Sequence, residues 1–177
     1  MSSAHGESDL RLRLITALGL VVGAVLGMAG MFAPSASLRG LAWGLDGIAL
    51  VVATSLLTVH HLRRGNELLA AGFLVFVVGE GLILSGVGMD LVESASSFGA
   101  GVGLWAASLA LVSASSAMPP VVRSTGFVAS ALFVVVAAQI FLGRGLTPLS
   151  EPLPFFAYPF LAVTLLGWAW VHYRNVA

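Results

Sequence analysis

Four polar side chains sit inside otherwise apolar stretches and have the types to bind a proton or a cation: Asp46, Glu80, Gln139 and Tyr158. An ionisable group at membrane depth costs about 2.5–3.5 kcal/mol even on the lenient insertion scale, so each acid asks for a reason. At 1.5 Å of rise per residue, Asp46 stands roughly 8 Å and Glu80 roughly 10 Å from the same face of the membrane. Gln139 and Tyr158 fall within about one turn of that face. The four are therefore expected in one slab, an ion- or solute-binding site with Glu80 as its principal proton-exchanging group. Gly44 and Gly47 flank Asp46, and Gly79 and Gly81 bracket Glu80, so backbone or a ligand can come close. Pro159 follows Tyr158, removes a backbone hydrogen bond and is expected to kink the helix there. The run from Pro152 to Pro159 reads as a rigid aromatic cap. The competing structural reading makes the two acids hydrogen-bonded glue or contacts to a partner, with Gln139 and Tyr158 as ordinary interhelical hydrogen-bonders.

Histidines form the second constellation. His60 and His61 end one apolar run and His172 ends another. An imidazole pair from two helices is a common way to hold a b-type haem, and three imidazoles could hold a metal. The preferred reading is interfacial instead. His61-Leu62-Arg63-Arg64 and His172-Tyr173-Arg174 look like helix C-termini whose charge complements the dipole and the headgroups. No resident cofactor is expected, and haem b is the alternative.

These groups need elements to position them. Of the 177 residues, 58% are hydrophobic and 9% charged, with a mean hydropathy of +1.00. Soluble domains carry roughly 25% charged residues, and a chain this size could not hide so much apolar surface from water. Apolar runs near the length that crosses about 30 Å of hydrocarbon are expected at 14–32, 41–60, 68–87, 97–117, 124–142 and 155–173. The runs are continuously apolar and not alternating, which favours helices over a β-barrel. The expected architecture is an all-α bundle of six transmembrane helices over residues 14–177, preceded by a polar tail at 1–13. Arg11, Arg13, Arg63, Arg64, Arg123 and Arg174 fall on one side and only Arg39 and Arg144 on the other. The positive-inside rule then puts both termini in the cytoplasm of a bacterial inner membrane. The first run is longer than a signal-peptide core and follows Glu7 and Asp9, so it reads as a retained span.

Lipid gives no hydrophobic drive for helix association, and close approach must replace it. Gly19, Gly23 and Gly27, with Gly30 nearby, and then Gly99, Gly103 and Ala107 make smooth rows at spacing four. They read as packing faces and as candidate contacts of a homo-oligomer. Trp43, Trp168, Trp170 and Tyr173 near the span ends read as interfacial anchors.

Several chemistries fall away. The net charge of zero offers no field for nucleic acid. The chain has no cysteine and, since all its basic residues are arginine, no lysine. Thiolate sites, Schiff bases and a phosphate loop with its lysine are thereby excluded. Ile83-Leu84-Ser85-Gly86 lacks the first glycine of a Gly-x-Ser-Gly protease motif, Leu45 precedes Asp46 where an aspartyl intramembrane protease has glycine, and four histidines are too few for diiron histidine boxes. An enzyme is not expected. The reading is a small transporter or channel subunit, in the bilayer, handling a proton, cation or small solute at the acid slab. The alternatives are an accessory or assembly subunit of a larger membrane complex and a haem-binding electron-transfer subunit.

Overall fold

The computed structural model describes residues 2–174, with side chains from Leu10 onward. Among the described residues there are six α-helices and no strand: α1 Ser2–Met31, α2 Ala36–Arg63, α3 Glu67–Ser85, α4 Ala95–Ala114, α5 Pro120–Phe141 and α6 Tyr158–Arg174. Each of the six is long and apolar enough to cross a membrane, as a multi-pass membrane protein requires. The expected spans are thus present, with α1 and α2 extending beyond the apolar runs. The polar segment 1–13 continues α1 as helix from Ser2; what its side chains do before Leu10 lies outside the described residues.

Local chemistry sets the ends. The Ser35 hydroxyl accepts from the Leu38 N–H at 3.3 Å and caps α2. At the other end of α2, Gly65 adopts φ +73°. That lets the Asn66 and Gly65 N–H groups return to the His61 and Leu62 carbonyls at 2.9 and 3.1 Å, a Schellman closure that needs a residue free to be left-handed. Gly143, at φ +85°, closes α5 the same way onto the Gln139 and Ile140 carbonyls. Pro120 is the first residue of α5, where its missing N–H costs nothing. Pro159 likewise falls in the first turn of α6. It interrupts no hydrogen-bond ladder, so the kink expected from it does not arise. Phe155–Ala157 form a 3-10 turn leading into α6.

Each helix packs on the one before and the one after, and α6 returns against α1. The result is a closed ring with no central helix. Its outside is apolar: Leu18, Val25, Ile48, Val52, Leu74, Val78, Val134 and Val163 are 48–62% exposed, a surface suited to hydrocarbon. Its axis is filled by side chains. Phe73 and Phe76 of α3 meet Trp168 of α6 across the ring at centroid separations of 5.0 and 5.8 Å. Phe76 stacks on Trp105 of α4, which meets Phe133 of α5. Trp168, expected at an interface, is fully buried, while Trp170 is 56% and Tyr173 52% exposed. Two residues apart on a helix, Trp168 and Trp170 point to opposite sides.

The glycine rows are used inside the chain. Gly19, Gly23, Gly27 and Gly30 lie against Ala49/Ala53, Leu50, Asp46 and Trp43 of α2. Gly99 and Gly103 lie against Ile140 and Ala137 of α5. They are therefore not free faces for a second copy. A Cβ on Gly19 would stand 2.9 Å from the Ala49 carbonyl oxygen and 2.8 Å from the Ala53 Cβ, whereas one on Gly81 would meet nothing within 4 Å. Gly19→Ala has no rotamer with which to escape backbone, so it is expected to destabilise by about 1–3 kcal/mol. Gly81→Ala is expected to be neutral or slightly stabilising. Thermal unfolding in detergent of the two variants beside wild type checks the pair; equal behaviour would refute the packing role of the α1 row.

Candidate functional site

The ring's two ends are chemically different. At the end away from the termini, α2 brings Asp46 and α3 brings Glu80 to one cavity of about 60 Å³. Both acids are withdrawn from solvent, with 8% and 2% exposure. They are neighbours: a Cβ on Gly47, next to Asp46, would stand 2.9 Å from Glu80 Oε1. Asp46 Oδ1 and Glu80 Oε2 have no hydrogen-bond partner. The Trp105 indole lies beside the Glu80 carboxyl, and its N–H has no hydrogen-bond partner elsewhere. Buried polar atoms without partners are uncommon in folded proteins. Tyr158, opening α6, lines the same cavity and packs edge-on to Phe133 at 5.8 Å.

Three of the four expected site residues therefore converge, and Gln139 does not. α5 turns Phe133, Val136 and Ala137 inward, and Gln139 is not on the cavity wall. Depth along the helix placed it correctly; rotation about the axis did not. The wall also holds residues that sequence reasoning did not single out for it: Trp43, Ile83, Phe98, Trp105 and Pro148. The Trp43 N–H donates to the Gly27 carbonyl at 3.2 Å, which fixes its ring at the α1–α2 seam. Trp43, Ile83, Phe98 and Pro148 are shared with a second, larger cavity of about 200 Å³ that also touches Arg39, Gly86 and Asp90. An outer vestibule and an inner acid chamber thus meet at one wall. Pro148, from the loop after α5, could not have been placed there by helix periodicity.

At the end carrying the termini, His61 of α2 and His172 of α6 face each other, with their Nε2 atoms 2.9 Å apart. Both are 6% exposed. This corrects their reading as interfacial helix ends: the ring turns them inward, while Leu62, Arg63, Arg64, Tyr173 and Arg174 beside them reach the surface. His60 lies edge-on to His61 at 5.3 Å. The proton positions follow from the partners. His172 Nδ1 is 2.7 Å from the Trp168 carbonyl oxygen, which can only accept, so Nδ1 carries the proton and Nε2 is the acceptor. His61 then donates from Nε2, and its Nδ1, buried without a partner, is a bare acceptor. The pair as packed does not fit a haem or a metal between the rings. A metal between opposed imidazoles sets their nitrogens about 4 Å apart, twice a metal–nitrogen bond, and Phe73 stacks 14° from parallel on His61. Among the described residues no three His, Asp or Glu side chains gather as a metal site.

The tautomers can be read by nitrogen NMR of histidine-labelled protein: Nδ1–H for His172 and Nε2–H for His61 are expected, and the reverse pairing would refute the hydrogen-bond assignment. His172→Ala leaves a buried donor unmet and is expected to cost about 1–3 kcal/mol. In a double-mutant cycle with His61→Ala, that loss should be less than additive.

Comparison with protein families, with curated proteins and with solved structures found no match.

Proposed function

We propose that the chain is a small transporter or channel subunit of a bacterial inner membrane, which takes a proton, cation or small solute at the Asp46–Glu80 chamber. The observation that carries this reading is the pair of nine-tenths-buried carboxyls, Asp46 and Glu80, both on the wall of one cavity and each with an oxygen that has no hydrogen-bond partner. A structural pair of acids would be satisfied by donors from the neighbouring helices. Hydrogen bonds of that kind occur elsewhere in this ring, as in Ser130 to the Ala106 carbonyl at 2.7 Å and Thr164 to Thr125 at 3.1 Å. No arginine lines the acid chamber, so the counter-charge for an ionised carboxylate has to arrive from outside it. The arginine count orients the vestibule to the periplasmic side, from which the chamber is loaded. Intramembrane acids that face a cavity are the usual mark of an ion or proton path.

Purified protein in liposomes tests the reading. Proton or cation flux above that of empty liposomes is expected for wild type. Glu80→Gln should reduce it to the empty-liposome rate, and Asp46→Asn should lower it at least tenfold, with both variants eluting as wild type from size exclusion. Absence of flux in wild type under imposed gradients of pH, sodium and potassium would overturn the proposal and favour a subunit that works only within a larger complex.

A further inference from the structure

The chamber's lining says more about its occupant than its charge does, and this inference rests on the reading of that chamber as a cation site. Apart from the two carboxyls and the Tyr158 hydroxyl, the side chains on its wall are apolar or aromatic, with Met28, Leu50 and Leu165 against Trp43, Phe98 and Trp105. A calcium ion takes six to eight oxygen ligands and magnesium a near-ideal octahedron; this wall does not supply them. An ammonium group differs. Its N–H bonds suit carboxylate oxygens, and those bonds are strong when charge-assisted. The carbon atoms next to its nitrogen carry part of the charge and favour aromatic faces. The acid chamber, about 60 Å³, has room for such a head group and little more. The vestibule of about 200 Å³ on the far side of the Trp43–Phe98 wall has room for a short apolar substituent.

We propose that the site binds a primary alkylammonium ion, with its nitrogen at the Asp46 and Glu80 carboxyls and its chain running along Trp43 and Phe98 toward the vestibule. The nitrogen then gives charge-assisted donors to two carboxyls that no arginine of the chamber wall meets. The chain trades water for the rings that separate the two cavities.

The test is equilibrium binding to the purified full-length protein in detergent. Tryptophan fluorescence is the readout, since Trp43 and Trp105 both line the path, with thermal unfolding alongside. The probes are methylammonium, n-butylammonium and sodium chlorides at equal ionic strength. Saturable binding is expected for both amines, tighter for n-butylammonium by about fourfold for each methylene it buries, and no saturable sodium response. Glu80→Gln and Asp46→Asn should each weaken n-butylammonium at least tenfold. Trp43→Leu leaves both carboxyls and should weaken n-butylammonium more than methylammonium, which keeps the test decisive where a carboxyl variant does not fold. Sodium saturating as well as the amines, equal affinity for the two amines, or no amine binding would overturn the proposal. Its fate separates from that of the transport reading. Amine binding in a protein that passes nothing across liposomes would sustain this inference and sink transport, and Glu80-dependent proton flux without amine binding would do the opposite.

Discussion

Six helices arranged as a ring of sequential neighbours leave a hollow on the axis that no backbone enters, so side chains alone have to fill it. Interiors pack at close to crystal density, and aliphatic residues are short for the span. The chain meets this with large rings, Phe73, Phe76, Trp105, Phe133 and Trp168, which are nearly or fully buried. Through Phe73 and Phe76 against Trp168, and Phe73 against His172, the column ties α3 to α6 across the ring, two helices whose backbones do not pack on each other. Edge-to-face aromatic pairs each contribute about 0.5–1.5 kcal/mol beyond their buried area. Remove the column and the ring has only its seams.

The seams are of a different kind. α1 lies on α2 through glycines at spacing four, and α4 lies on α5 partly through Gly99 and Gly103. Where residues are small, backbones approach and dispersion replaces the hydrophobic drive that lipid does not supply. A few polar bonds add specificity: Trp43 to Gly27, Ser130 to Ala106, Thr164 to Thr125. Small residues at the seams and large ones on the axis are thus two halves of one solution. The polar sites occupy the two places where the aromatic column stops.

How much of this was legible in the sequence follows from what each signal encodes. Length and hydropathy encode the number of crossings, so six helices were readable. Distance along a helix encodes depth, so the meeting of Asp46, Glu80 and Tyr158 at one level was readable too. Rotation is encoded by contrast between faces, and a helix that is apolar all round has almost none. Gln139 shares the depth of the acids and still misses the chamber for that reason. The same gap hid the histidines: His61 and His172 sit where interfacial residues sit, and only the direction in which each helix presents them separates a solvated ring from a buried pair. Trp168 and Trp170 make the point within one turn. Trp43 and Phe98 carry no signal that would distinguish a cavity wall from an anchor or a core ring.

The distance between the two polar sites constrains any mechanism. From Asp46 to His61 along α2 is fifteen residues, about 22 Å, and the stretch between is occupied by the aromatic column. The cavities at the two ends are separate. The one beside His172, about 10 Å³ and bounded by Arg13, Thr16 and His60, is at the lower limit for a single water. The buried rings of the column thus stand between a proton or ammonium held at the acid chamber and the histidine end. Passage on the proposed transport reading therefore requires the column to part, and the contacts that must open are the cross-ring ones, Phe73 and Phe76 against Trp168 and His61 against His172. The glycine seams can stay closed while this happens, since they run along adjacent helices and not across the axis. Trp168 joins both halves of that change. Its ring closes the column and its carbonyl holds His172 in the tautomer that accepts from His61. A shift of α6 that withdrew Trp168 from Phe73 would also release the imidazole pair, so the plug and the lower polar site are mechanically one element.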